Sequence, residues 1–102
     1  MSDTTPMENK KPFSTEEWAE GVHNSLTMTH AERLRQLKKW GPQHHDLPTW
    51  IAILTEEVGE LSAEVLKARF EGVVTEDAII AEAIQVAAVA LAIVQDVKNG
   101  SS

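Results

Sequence analysis

The sequence predicts an all-α fold of about four helices whose core is completed by oligomerisation. Three observations carry this: apolar residues recur at spacings of three and four, capping signals precede each periodic stretch, and glycine or Gly-Pro closes three of the four stretches. Ser14 with Glu17 has the Ser-x-x-Glu spacing of a capping box, and Thr29 with Glu32 repeats it. One helix is therefore expected over about Thr15 to Asn24 and a second over about His30 to Trp40, stopped by Gly41-Pro42. Thr49 offers a cap for a long third helix, about Trp50 to Phe70, which Gly72 ends. Ile51, Leu54, Val58, Leu61, Val65 and Leu66 mark the stripe expected to face its core. Thr75 then caps a fourth helix, about Glu76 to Val97, stopped by Asn99-Gly100.

That fourth helix carries Ile79, Ile80, Ile84, Val86, Val89, Leu91, Ile93, Val94 and Val97 around nearly its whole circumference. A helix apolar all round asks to be buried on all sides. Three short neighbours from one chain scarcely enclose it, and the intervening alanines admit another helix at close range. A homodimer or homotetramer is the expected solution. A chain of 102 residues also buries only about two-thirds of its unfolded surface, so a second copy would relieve a real shortage. Residues 1–13 read as a flexible polar arm, 14–99 as one helical domain and 100–102 as a tail.

Composition limits the function. With 42% hydrophobic and 25% charged residues the chain is an ordinary folded domain. Sixteen acidic against nine basic residues give a formal charge of -7. This disfavours nucleic acid polymers and anionic membranes as partners, because both need a basic footprint. A small polyanionic substrate remains compatible if a divalent cation first neutralises some carboxylates. The absence of cysteine excludes disulfides, thiolate zinc sites and thiol nucleophiles. The start Met1-Ser2-Asp3-Thr4-Thr5-Pro6 lacks the pattern of a secretory leader, and the longest nearly apolar run, Ala83 to Val94, is shorter than a bilayer needs. The expectation is a soluble, cytoplasmic protein.

The chemistry concentrates in carboxylates. Within Thr55-Glu56-Glu57-Val58-Gly59-Glu60, Glu57 and Glu60 are three apart and share one helical face, where like charges oppose one another. Gly59, a poor residue inside a helix, removes a side chain where something else could approach. Paired hard oxygens suit Mg²⁺ or Mn²⁺. Glu82 and Gln85, also three apart, are the strongly polar side chains between Ile79 and Val94, and a buried carboxylate there needs a cation or a donor. Glu-x-x-Glu is also common on solvated faces, and Glu82 could instead pair with Arg33, Arg35 or Lys67. Trp40 and Trp50 flank a loop holding His44, His45 and Asp46. Base-stacking platforms and hydrophobic anchors are both open readings of the two indoles, and the histidines read as surface residues. A di-iron bundle is disfavoured, because that architecture takes a Glu-x-x-His pair from each of two helices and the expected helices carry one, Glu20 with His23.

The run from Glu32-Arg33-Leu34-Arg35-Gln36 through Lys39-Trp40-Gly41-Pro42-Gln43-His44, the segment Trp50 to Leu61, and Glu82-Ala83-Ile84-Gln85-Val86-Ala87-Ala88-Val89-Ala90 together resemble the MazG-like all-α nucleoside triphosphate pyrophosphohydrolases. The likeness spans about Ala31 to Gln95 and leaves out Met1 to Met28. In that family Glu-Glu-x-x-Glu on one helix and Glu-x-x-Asp on the next ligate Mg²⁺. The resemblance implies Glu57, Glu60 and Glu82 as ligands, with Gln85 as the fourth metal-site residue where the family has Asp, its amide oxygen able to coordinate the metal or a metal-bound water without charge. It further implies hydrolysis of a (d)NTP to (d)NMP and pyrophosphate, for which Glu56, the extra carboxylate beside the pair, is the candidate to orient or deprotonate the attacking water. Lys38, Lys39, Lys67 and Arg69 form the pool of expected phosphate contacts. The alternative is a non-catalytic helical dimer that binds nucleotides or a protein partner.

Overall fold

The computed structural model describes residues 13–72 and 76–100. Residues 1–12 of the expected arm, the cap expected at Thr75 and the last two residues of the tail lie outside the described residues. Within them the chain is all-helical: α1 spans Thr15–Trp40, α2 Leu47–Glu71 and α3 Glu76–Lys98.

The first two expected helices are one. Ser14 caps α1 as a complete capping box, its Oγ accepting from the Glu17 amide at 3.1 Å while Glu17 Oε1 accepts from the Ser14 amide at 2.8 Å. The second Ser/Thr-x-x-Glu does not cap anything. The Thr29 hydroxyl instead donates to the Ser25 carbonyl one turn back, as Thr27 does to His23 and Ser25 to Gly21. Hydroxyls satisfied in this way sit inside a helix without ending it. With no proline between Thr15 and Trp40, nothing stops the helix before Gly41, whose φ of 73° favours glycine.

α2 begins three residues earlier than expected. Asp46, not Thr49, is its N-cap, accepting from the Thr49 amide at 2.9 Å, and Pro48 occupies the first turn, where a missing N–H costs nothing. Gly72, left-handed at φ 69°, closes α2 as expected.

α3 is the centre of the fold. α2 packs along it and α1 packs against it, whereas the described residues of α1 and α2 do not pack on each other. The core is small: Trp50, Val89 and Ala92 form its buried cluster, Ile53, Leu54 and Ile93 pack around them, and Ala88 is also buried. The stripe of α2 that meets this core differs from the expected one. Ile51, Val58, Val65 and Leu66 are exposed, and the buried or half-buried line runs Trp50, Leu54, Glu57, Leu61, Glu64, Ala68. Two carboxylates therefore lie on the face turned toward α3. On α3 itself Ile80, Leu91, Val94 and Val97 remain exposed. By length and composition alone α3 is apolar enough to cross a membrane, because the whole helix extends well beyond the run Ala83 to Val94.

Candidate metal centre

The acidic cluster is built by helical periodicity. Glu56, Glu57 and Glu60 each offer a carboxylate oxygen, and these oxygens lie within 4.8 Å of one another. Glu57, half-buried, has its carboxyl pushed up from the ordinary range by burial first, then by the charges of Glu60, Glu82, Glu56 and Glu32. Glu82 comes from α3 and meets the same group. Burial raises its pKa most, followed by the charges of Glu60 and Glu64 and a hydrogen bond with the Glu60 carboxyl. Its Oε2 is buried and has no hydrogen-bond partner among the described residues. Arg33, Arg35 and Lys67 do not neutralise it: Arg35 pairs with Glu32, Lys67 with Glu64, and Arg33 binds Gln36 and Gln95. A Cβ on Gly59 would meet nothing within 4 Å, so no packing inside the chain demands glycine there.

Gln85 is held differently. Its Oε1 accepts from Gln36 Nε2 at 3.1 Å, and its Nε2 donates to Glu32 Oε2 at 2.7 Å. Gln36 also donates to Glu32 and accepts from Arg33. This network ties α3 to α1, and with the Arg35 guanidinium as the largest influence it lowers the Glu32 pKa to about 2. Glu32 is thus the carboxylate already neutralised, in contrast to Glu57 and Glu82. Gln85→Asp should replace a donor by a carboxylate facing Glu32. We expect a melting temperature lowered equally in Mg²⁺ and in EDTA, by a destabilisation of about 1–3 kcal/mol. A gain confined to Mg²⁺ would instead put position 85 at the cation.

Beside these groups lies a cavity of about 180 Å³, lined by Arg33, Gln36, Trp40, Gln43, Trp50, Glu57 and Gln85 among others. It joins one carboxylate of the cluster to both tryptophans. Trp40 is exposed, with the Lys39 ammonium 4.7 Å from its ring centroid, whereas Trp50 is 3% exposed and belongs to the core. Trp50 thus serves as an anchor and still forms part of the cavity wall. Lys38, Lys39 and Arg69 sit exposed in the last turns of their helices, and Lys67 is exposed but spent on Glu64 at 3.3 Å.

The sequence reading missed Asp96. It is 4% exposed and accepts from Trp50 Nε1 at 2.7 Å and from the His45 amide at 3.1 Å, with His44 Nδ1 3.0 Å away. The His45 ring stands edge-on to Trp50. This carboxylate fastens the α1–α2 loop to the end of α3 and so fixes the wall that Gln43 and the indoles make. Glu32, Gln36 and Glu64 were also missed as members of the site. A carboxylate deep in an apolar helix, two residues past Val94, was the available signal for Asp96.

Opposite pKa shifts predict a distinctive pH profile. Glu57 and Glu82 are raised, so their contribution to stability is complete below the unfolded value near 4.5 and is lost as pH rises through their folded values. Glu32 is lowered from 4.5 to about 2, so its contribution is present above about pH 4.5 and disappears as pH falls toward 2. In EDTA the melting temperature should peak in weak acid, at about pH 4.5–5, and decline toward neutrality. A steady rise from pH 5 to 8 in EDTA, followed by circular dichroism, would contradict the carboxylate crowding.

Compared with protein-family models, with curated proteins and with solved structures, the chain finds no match.

Proposed function

We propose that the chain is a Mg²⁺-dependent nucleoside triphosphate pyrophosphohydrolase, converting a (d)NTP to (d)NMP and pyrophosphate in cytoplasmic house-cleaning of the nucleotide pool. One observation carries the reading: a buried Glu82 oxygen with no donor, set against Glu57 and Glu60 across the α2–α3 packing. Carboxylates crowded until their pKa values rise are poised to exchange protons for a divalent cation, and three close oxygens from one helix fit a hard ion. The sequence resemblance adds the substrate class.

In this reading Glu57, Glu60 and Glu82 hold the cation, with Mn²⁺ as a substitute for Mg²⁺. Bound there, it would neutralise phosphate charge and acidify water. Glu56, exposed beside the pair, accepts the proton of the attacking water. The water oxygen bonds to the α phosphorus as the bond from that phosphorus to the bridging oxygen breaks, and pyrophosphate leaves. Lys38, Lys39 and Arg69, exposed near the ends of α1 and α2, contact phosphate. The cavity beside Glu57 takes the base, with Trp40 and Trp50 in its wall. Gln85 acts from the α1 side, holding Glu32 and Gln36 in place rather than contributing charge.

The apolar residues left exposed on α3 support a homodimer or homotetramer in which that helix is shared. A second reading, a helical dimer that binds nucleotides or a protein partner without catalysis, draws on the neutral Gln85 and its bonds to α1. Release of pyrophosphate from standard and modified NTPs and dNTPs, with Mg²⁺ and with Mn²⁺, separates the two. Metal-dependent turnover supports the enzyme. Binding without pyrophosphate across the panel removes it.

A further inference from the structure

The N-terminal half of α1 has no partner among the described residues. From Phe13 to Met28 the helix and its cap carry no buried residue, and Trp18, Val22 and Leu26 are 64%, 56% and 60% exposed. These positions, four apart, continue the line of Thr29, Arg33 and Gln36, through which the later half of the same helix meets α3. An established helix–helix interface therefore runs on as an apolar face that no other described residue covers. Phe13 stacks edge-on to Trp18 at 6.3 Å, extending the face by another ring. A shallow groove of about 320 Å³ lies along it, floored by Gly21 and Ser25.

Two details show that the face is shaped for close approach. Glycine is costly inside a helix, and a Cβ at Gly21 would meet nothing within 4 Å, so the chain's own packing does not call for it. The Ser25 hydroxyl is spent on the Gly21 carbonyl at 2.9 Å, so an apolar cover would not strand it.

We propose that this face pairs with the same face of a second copy of the chain, antiparallel, about a two-fold axis at Val22. Charge selects the occupant and its direction. No Lys or Arg occurs from Phe13 to Glu32, so an anionic membrane has nothing to hold. Residues 1–12 contain only Met1 and Met7 as long apolar side chains and cannot cover the face. Glu16, Glu17 and Glu20 crowd the N-terminal half, whereas Val22 to Ala31 contains no acidic residue and holds His23 and His30. Parallel pairing would stack acid on acid. Antiparallel pairing sets Glu16, Glu17 and Glu20 against a stretch free of acidic residues, opposes the helix dipoles, seats Trp18 on Leu26 of the partner subunit and brings Val22 onto its own mate. This association is independent of the hydrolase reading.

The absence of cysteine makes the geometry directly readable. In the full-length chain, Val22→Cys should form a disulfide-linked dimer under mild oxidation about tenfold or more faster than Phe70→Cys, an exposed control at the end of α2. Trp18→Cys and Leu26→Cys should each link poorly alone and link rapidly when mixed. Leu26→Glu should slow the cross-linking of Val22→Cys about tenfold or more while the helix content stays unchanged, whatever association α3 supports. The proposal is overturned if Val22→Cys links no faster than Phe70→Cys, or if adding Leu26→Glu leaves the Val22→Cys linking rate unchanged.

Discussion

Glu82→Gln should raise the melting temperature in EDTA and abolish the response of the protein to Mg²⁺. The parent carries an ionisable oxygen that is buried, unpartnered and pressed by Glu60 and Glu64. Replacing it with an amide of nearly the same shape removes the desolvation and the like-charge repulsion together. Relief of about 1 kcal/mol would appear as roughly 4–8 °C in a domain of this size. With Mg²⁺ the order should reverse, because only the parent then gains the binding free energy of the cation. Turnover in the pyrophosphate assay should fall by about 10²-fold or more in Glu82→Gln, and likewise in Glu57→Gln and Glu60→Gln. A Glu82→Gln protein that melts below the parent in EDTA would show that the carboxylate is held by a structural donor and would remove the observation on which the metal centre rests.

The contrast between Glu82 and Glu32 explains why part of this centre was legible in the sequence and part was not. The spacing of Glu57 and Glu60 puts them on one helical face whatever their surroundings, and an acidic residue among isoleucines and alanines announces itself at Glu82. Periodicity is a local property and survives the absence of tertiary information. Which side of α2 turns toward α3 is not local. The apolar stripe through Ile51, Val58 and Val65 looked like the buried one, yet the helix presents Trp50, Leu54, Glu57, Leu61 and Glu64 instead. That rotation carries the carboxylates inward and leaves ordinary core residues in solvent, a pattern that propensity and hydrophobicity alone would rank as the poorer choice.

The helix count failed for a related reason. Thr29 with Glu32 has the residues of a capping box, but a cap requires the backbone to leave the helix, and the Thr29 hydroxyl prefers the Ser25 carbonyl at 3.0 Å. Glu32 is meanwhile drawn to Arg35, Gln36 and Gln85, partners that a reading of four consecutive residues does not include. The cap at Asp46 went the other way. Thr49 was chosen over a residue three positions earlier with the stronger side-chain acceptor, and Pro48 was the available signal that the helix had already begun.

Asp96→Ala should produce the largest loss of stability of any single side-chain truncation in the loop region, about 2–4 kcal/mol. The Trp50 indole N–H sits in the core and would lose its acceptor outright, and the His45 amide would lose a second. His44, whose side chain is 68% exposed, can turn to water, so His44→Ala should cost far less than Asp96→Ala. The difference separates a buried anchor from its solvent-facing partner. Asp96→Asn keeps one acceptor oxygen and places an amide N–H₂ where the second carboxylate oxygen stood, so its melting temperature should fall between those of the parent and Asp96→Ala. Because the loop and Trp50 wall the cavity that also reaches Glu57, loosening them should raise KM for a nucleotide substrate more than it lowers kcat. Under the proposed hydrolysis Glu82→Gln should show the opposite signature, with kcat lost and the fold preserved. Measuring both constants for both variants assigns Asp96 to the shape of the cavity and Glu82 to the chemistry, and an Asp96→Ala protein with parental stability would show that water replaces the carboxylate at the Trp50 indole.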